Sequence, residues 1–416
     1  MLLAQMLNRF LKHDALILID HRGIQYRCGN GDFQTAPIIR LKTRWLAIKL
    51  LLNPEVAAGE GYTSGELVFE RGSLRSVMAL FFRELELGYV TPLDRIIDFA
   101  RFVARSLHQA NMPVFARQRI AHHYDLNPAL YRAMLGPTLE YSCAFFGEDA
   151  APATAGVEWY LQSTPANLDS AQCRKERHIA GKLYLRPGMK VLDIGCGWGS
   201  MALHLAKEFD VEVTGITLSR QQLEICKQRA EEAGLQNRIK FELRDYRSVD
   251  DKFDRVVSVG MFEHVGTPFY RKFFKILADC LTPTGVALVH TIGRIDGPGA
   301  TNAWIRKRIF PGGYIPALSE ILTASERSGL LTADVEVLRL HYAFTLRSWF
   351  ENFAAVRNQA VAEMGEQFVR MWEFYLAASE MSFVYGKFVN FQIQFCKHRS
   401  ALPITRDYMS TRALGG

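Results

Sequence analysis

Paired cysteines are missing from this 416-residue chain: the seven that occur, at 28, 143, 173, 196, 226, 280 and 396, include no CxxC and no metal-ligand spacing. Such an odd, scattered set argues against a disulfide framework and suits reduced thiols in a reducing compartment. Long apolar runs are missing too; none reaches the ~18–20 residues that cross a bilayer as a helix. The opening MLLAQMLNRFLKHDALILID carries Arg9, Lys12 and His13 in its middle and lacks a small-residue cleavage site. It reads as an amphipathic helix running into a strand, not as a signal peptide, and a cytoplasmic location is expected. Internal repeats and low-complexity tracts are absent as well.

What is present is globular. Hydrophobic residues make up 49% and charged residues 22% of a chain too long for one ordinary core, so two domains are expected. The net charge is +7, which attracts an anionic partner, nucleic acid or a phospholipid headgroup.

Residues 1–108 read as a small α+β domain: ALILID and GIQYRCG alternate like a hairpin, WLAIKLLL is helical and GELVFERG is a short strand. Nothing in that domain looks catalytic. A second domain is expected over 109–416, mainly helical to 185 and including the aromatic segment YSCAFF. From Met189 onward strands at 190–194, 212–217, 238–243, 255–259 and 285–291 alternate with helices such as 219–233 and 268–280. That pattern implies parallel strands with crossover helices, an α/β doubly wound sheet. Two further helical patterns, roughly 344–358 and 365–380 and rich in Phe, Trp and Met, are inserted near the C-terminus.

The segment LDIGCGWG places Gly195, Gly197 and Gly199 at a strand-to-helix turn. Glycine there permits positive φ and a closer ligand approach than any Cβ allows. The spacing is G-x-G-x-G, not the dinucleotide G-x-G-x-x-G, and Asp193 precedes it. An acid at that point repels a pyrophosphate and favours a ligand with an ammonium group. The turn resembles the nucleoside-binding turn of S-adenosylmethionine-dependent methyltransferases, whose acid faces the methionine amino group. The next strand ends with Thr217 and Leu218 where such enzymes usually carry an acid, and Ser219 is a natural N-cap that places Gln222 in the first helical turn. After the third strand Asp245 is expected to accept from an adenine amino group, with Tyr246 beside it.

The segments HHYDLNPALYRAMLGPTLEYSCAFF, DIGCGWG, GITLSRQQ, GMFEHVG, HTIGR, IFPGGYIPALSE, HYAFTLRSW and MWEFYLAASEMSF occur together and in order. From about residue 119 onward the chain thereby resembles the cyclopropane fatty acid synthases, methyltransferases acting on cis double bonds of phospholipid acyl chains. The resemblance implies a Rossmann-like class I methyltransferase sheet with inserted lipid-binding helices, beside the small α+β N-terminal domain. It implies S-adenosylmethionine contacts at Tyr141, Ser142, Gly195, Gly197, Thr217, Leu218 and Gln222, and a bicarbonate ion held by Cys143, Glu263, His290, Ile292 and Tyr342. Leu139–Glu140 departs from the expected pairing before YSC, a change expected to touch only the substrate channel.

The implied chemistry suits these residue types. An alkene has no proton to lose before it attacks, so the first step needs alignment, worth ~7–11 kcal/mol when reacting atoms are held near contact. Methyl transfer leaves a carbocation, and loss of a proton from the new methyl closes a three-membered ring. An anion in a dry site stabilises the cation and can take that proton. Glu263 is then expected to accept a hydrogen from the bicarbonate OH or to orient His290, while His290, Tyr342 and the backbone N–H groups of Cys143 and Ile292 donate. The rival reading makes Glu263 the direct proton acceptor. His264 reads as structural, and Trp198 as packing against the fold.

Phe350, Phe353, Trp372, Phe374 and Tyr375 read either as core or as a tunnel for a lipid chain. Arg306, Lys307, Arg308 and Arg347 are expected to meet anionic headgroups, giving peripheral contact with the inner face of the membrane, each worth about 1 kcal/mol. Nucleic acid is not an expected partner, because no aromatic-plus-basic platform is present; a homodimer remains open. The competing functions are methyl or methylene addition to the same kind of chain without ring closure, methylation of a small soluble acceptor, and a non-catalytic binding protein on an old methyltransferase fold.

Overall fold

In the computed structural model, residues 1–87, 128–147, 157–163 and 167–413 are described. They fall in two compact units, each assembled from separated stretches of chain. The expected boundary near residue 108 and the start of the HHYDLNPALYR segment lie outside the described residues.

The first unit gathers the described N-terminal residues with 301–311 and 346–387. Its sheet has strands β1 (Ala15–Ile19), β2 (Gln25–Gly29), β3 (Ile38–Leu41) and β4 (Leu67–Arg71) in the order β2-β1-β3-β4. β1 and β2 form the antiparallel hairpin that their alternation predicts, with Ala15 opposite Gly29. Helices start where side chains satisfy their first N–H groups: Thr43 accepts from Leu46 N at 3.2 Å ahead of Arg44–Leu52, and Asn53 from Val56 N at 3.3 Å ahead of Pro54–Ser64.

The aromatic C-terminal helices belong to this unit, as His341–Ala355 (from residue 346) and Glu366–Val384, with a separate Arg357–Met364 between them. The chain is thus not divided by a single cut. Phe353, Trp372, Phe374 and Tyr375 are all buried, and Phe374 meets the indole of Trp304 edge-on at 4.9 Å. Glu380, fully buried, holds Arg75 through two bonds of 2.7 and 2.6 Å and Arg347 at 3.3 Å. Arg347 is therefore no headgroup ligand: it is 3% exposed, and a buried guanidinium needs its carboxylate. Lys307 and Arg308 are exposed but share Glu60, which draws both to the same unit.

The second unit is built on seven strands, β5 (Lys190–Ile194), β6 (Glu212–Thr217), β7 (Ile239–Leu243), β8 (Phe253–Val259), β9 (Leu281–Arg294), β10 (Leu331–Leu338) and β11 (Phe388–Cys396). Their order is β10-β11-β9-β8-β5-β6-β7. The five strands read from the sequence form the parallel block, and helices Ser200–Phe209, Arg220–Glu232 and Tyr270–Cys280 lie between them in the chain. Two strands go beyond that reading: β10 and β11 add antiparallel beside β9. From β5 the chain pairs first with β6 and later with β8, so the strand order reverses at β5, where open α/β sheets form ligand crevices at their carboxyl ends. Val191, Leu192, Val256, Val257 and Leu288 form the floor of the core. Among the described residues, no helix is long and apolar enough to cross a membrane.

Candidate active site

β5 delivers the glycine turn to that crevice. Gly195 has φ 81° and Gly197 φ 54°, in the left-handed region that disfavours any side chain. A Cβ on Gly195 would lie 2.9 Å from the Met261 side chain, whereas one on Gly197 meets nothing within 4 Å. Gly195 therefore satisfies a packing constraint, and Gly197 keeps space open. The turn is fastened to β6 by Gly195 and Cys196, whose N–H groups both donate to Ile216 O at 3.0 Å.

A cavity opens over this turn. Its wall takes Tyr141 and Ser142 from the 139–142 segment, Asp193 from β5, Gly195 and Gly197 from the turn, and Thr217, Leu218 and Gln222 from the end of β6 and the next helix. Tyr246, Arg247, Gly260, Met261 and His264 close the other side. Nine of the ten residues read as cofactor contacts thus line one cavity. Asp245 does not line it: its carboxylate is committed to Arg247, at 2.8 and 2.6 Å, and to Arg247 N at 2.9 Å. The neighbouring guanidinium engages both oxygens, and Arg247 itself reaches the wall.

Asp193 is 2% exposed, and its Oδ2 has no hydrogen-bond partner among the described residues. Burial, reinforced by nearby Glu140, pushes its carboxyl up to about 7. Such a group is relieved by a cation. Thr217 donates its hydroxyl to Gln222 Oε1 at 2.7 Å, which fixes the amide so that its NH2 is the group left over for a ligand. Ser219 caps the helix as expected, accepting from Gln222 N at 3.3 Å.

The 140–143 segment is anchored by helix Leu168–Leu183. Lys175, fully buried, pairs with Glu140 at 2.6 Å and donates to Ser142 Oγ at 2.9 Å. Gln172 donates to the carbonyls of Glu140 and Ser142 at 3.4 and 3.1 Å. Glu140, the departure noted in the sequence, is thus half of a buried ion pair. Leu139 before it takes a φ of 57°, unusual for a branched residue.

Of the residues read as anion ligands, Glu263 and Ile292 are brought together directly: Ile292 N–H donates to Glu263 Oε1 at 2.6 Å. Glu263 Oε2 is buried with no partner among the described residues, and burial pushes the carboxyl up to about 7. The Ile292 N–H, expected to face an anion, is thereby spent on Glu263. His290, two residues back along β9, does not bond to Glu263; Asn390 Nδ2 lies 3.2 Å from its Nε2 and Gln392 Nε2 lies 3.1 Å from its Nδ1. Cys143 is buried, its Sγ 3.3 Å from Ala144 O, and burial raises its thiol far above the usual range. Ala144 N donates to Thr345 Oγ1 at 3.1 Å, one turn along the helix from the buried Tyr342.

His264, read as structural, lines the cavity, with burial lowering it to about 4. Trp198 packs as expected, 4% exposed with its ring 6.2 Å from Tyr131, yet it also reaches the wall. Arg247, Lys175, Asn390 and Gln392 escaped the sequence reading, and His264 was given only a structural role. The one available signal was position, since His264 follows Glu263 and Arg247 follows Tyr246.

A family model described as mycolic acid cyclopropane synthetase matches residues 114–393. A cyclopropane-fatty-acyl-phospholipid synthase of Escherichia coli (strain K12) is 40% identical over 261 residues, 63% of this chain and 63% of that protein's own length. A tuberculostearic acid methyltransferase of Mycobacterium tuberculosis is 38% identical over 280 residues, 65% of this chain and 63% of its own length. Among solved structures, the mycolic acid cyclopropane synthase CmaA1 complexed with SAH and CTAB is similar with a TM-score of 0.61 and 31% identity, covering 68% of this chain and 98% of that one. The parallel block with its crevice at β5 is the class I methyltransferase sheet, and the match over 114–393 covers well over half of the sequence: the chain belongs to the mycolic acid cyclopropane synthetase family.

Proposed function

We propose that the protein transfers a methylene group from S-adenosylmethionine to a cis double bond of an unsaturated phospholipid acyl chain, forming a cyclopropane ring. One observation carries the reading: the buried carboxylate of Asp193, whose Oδ2 has no partner among the described residues, on the wall of the glycine-turn cavity, with the Gln222 amide on the same wall. That pair fits the ammonium and the ribose hydroxyls of S-adenosylmethionine, which supplies an electrophilic methyl when bound. The solved relative that holds SAH and CTAB supports a cofactor and an alkyl chain in one protein.

In this reading Asp193 binds the amino group, Gln222 and Thr217 set the ribose, and Tyr141, Ser142 and Tyr246 shape the remaining wall. Methyl transfer leaves a carbocation on the acyl chain. Glu263 supplies the proton-accepting end of the site, because its Oε2 has no partner among the described residues while Ile292 fixes its other oxygen. Bicarbonate belongs to the proposal as an ion that Glu263, His290, Tyr342 and the backbone at Cys143 would hold, contributing negative charge and a basic oxygen. The Ile292 N–H joins them only if Glu263 releases it. Catalysis is assigned to the unit with the seven-stranded sheet, and an accessory role to the unit with the four-stranded sheet.

Peripheral membrane contact is part of the proposal, but through a different surface from the one first expected. On helix Arg44–Leu52 only Leu46 is buried; Trp45 is 70% and Leu52 72% exposed, one i,i+7 stripe flanked by exposed Lys42, Arg44 and Lys49. An exposed tryptophan among lysines and arginines suits the headgroup layer of an anionic bilayer. A second reading, methyl branching without ring closure, is favoured by the tuberculostearic acid methyltransferase relative.

The test incubates the protein with unsaturated phospholipid vesicles and cofactor bearing a fully deuterated methyl, then analyses the acyl chains by mass spectrometry. One added carbon retaining two deuteriums, in a chain that resists hydrogenation, establishes the ring. Three retained deuteriums establish the branch, and absence of lipid label overturns both.

A further inference from the structure

β11 reads Phe388-Val-Asn-Phe-Gln-Ile-Gln-Phe-Cys396, apolar and polar by turns, yet from Val389 to Cys396 every residue is buried. A strand with this alternation ordinarily shows its polar face to water. Here Asn390, Gln392 and Gln394 are 0–1% exposed. Side chains directly opposite in an antiparallel pair share a face, and the register sets Gln392 opposite His290 and Asn390 opposite Ile292. The buried amides therefore lie on the same sheet face as two residues of the candidate active site.

His290 is 1% exposed and receives an amide at each ring nitrogen, Gln392 at Nδ1 and Asn390 at Nε2. Other titratable groups act on it from Lys175, His178 and Lys182 on helix Leu168–Leu183 and from Glu336 on β10. Burial, and then the lysines, drive its ring well below the usual imidazole range, so the ring is neutral. A neutral imidazole has one N–H and one lone pair, so two amides bonded to it must act oppositely, one giving N–H and the other offering C=O. Asn390 Oδ1 and Gln392 Oε1 are both buried without a partner among the described residues. A half-turn of one amide supplies the missing acceptor and satisfies one of those orphans.

The register decides which amide turns. Asn390 stands opposite Ile292, whose N–H holds Glu263, so Nε2 points toward the Glu263 end of the site and Nδ1 away from it. We propose that Gln392 is a positioning residue that donates to Nδ1 of His290 and so fixes the Nε2–H tautomer, with Asn390 accepting from Nε2–H through Oδ1. In this tautomer the Nε2–H is held by Asn390 Oδ1 and reaches an anion beside Glu263 only when Asn390 releases it, while the turned Asn390 NH2 is a donor on that side. The functional meaning rests on the reading above; the tautomer itself does not.

Nitrogen-15 NMR of protein labelled at histidine tests it, with His290 assigned by loss of its signal in His290→Gln. The expected result is a protonated-type nitrogen at Nε2 and a lone-pair type at Nδ1, unchanged from pH 6 to 8. The Nδ1–H tautomer, or an imidazolium in that range, overturns the proposal whether or not the protein modifies lipid. Gln392→Glu replaces the donor by an acceptor and should move the proton to Nδ1; Gln392→Met should leave both tautomers populated. Folding of each is checked by thermal melting. Both should retain cofactor affinity while turnover falls on the order of tenfold or more, with a shifted pH profile. Well-folded variants with the tautomer and pH profile of the parent protein also overturn it.

Discussion

The backbone N–H of Ile292 meets Glu263 Oε1 at 2.6 Å, and Glu263 Oε2 is left buried with no partner among the described residues. One oxygen is used for orientation, and the other is available for chemistry. Glu263→Gln keeps an acceptor for Ile292 but puts an amide where a base is needed. Turnover should fall on the order of 10²-fold or more, without recovery in excess bicarbonate. Cofactor affinity should be unchanged, as initial rates and calorimetry will show. Near-normal turnover contradicts the assignment.

Asp193 makes a titration prediction. Its carboxyl lies near 7 in the ligand-free fold, and an ammonium beside it favours the charged form. Binding S-adenosylmethionine at pH 7 should release roughly half a proton, read as a buffer-dependent heat of binding. Asp193→Asn should abolish that release and weaken binding about tenfold or more. A carboxyl raised on folding binds its proton more tightly in the native state, so its contribution to stability falls as pH rises from about 4 to about 7. The ligand-free Asn variant should therefore melt higher than the parent at pH 7, with the gap closing at pH 4.

Lys175 separates the energetics of a buried ion pair from those of its parts. Lys175→Met leaves Glu140 buried without its cation, and should cost about 3–5 kcal/mol by denaturant unfolding. Adding Glu140→Gln should restore most of that loss. If the single variant is as stable as the parent, the pair is not the anchor of the 140–143 segment.

Trp45 and Leu52 test the membrane face. Replacing both by Ser should lower co-sedimentation with phosphatidylglycerol vesicles at least roughly tenfold, since each apolar side chain withdrawn from the interface loses ~1.5–3 kcal/mol. Rates on detergent-dispersed lipid should hold. A change in oligomeric state with vesicle binding intact assigns the stripe to a second copy of the chain instead.

The parallel block was legible because its signals are local. KVLDIGCGWG carries a buried strand, a turn that requires positive φ and a helix start within a few residues. The cavity wall followed, since Thr217 and Gln222 lie on the next strand and helix. Long-range pairing was less legible. Arg347 was read as a surface cation although it sits in the apolar stretch AFTLRSWF, and its partner Glu380 lies on another helix. Asn390 and Gln392 were invisible because alternating polarity is read as a wet face, and their partner lies about a hundred residues earlier. Asp245 differs: its ion pair with Arg247, two residues on, is short-range and was in plain view in the sequence.

Ser142 lines the cavity, and Cys143, the next residue, belongs to the set assigned to an anion; both are carried on a segment that Gln172 and Lys175 hold. In the proposed function two ligands would press on one stretch of backbone. Thermodynamic reciprocity then requires that the factor by which cofactor changes the anion's affinity equal the factor by which the anion changes the cofactor's. If the proposed anion binds there, any coupling between the two ligands makes the saturation of each depend on the concentration of the other, so that carbonate supply would enter the cofactor's apparent affinity.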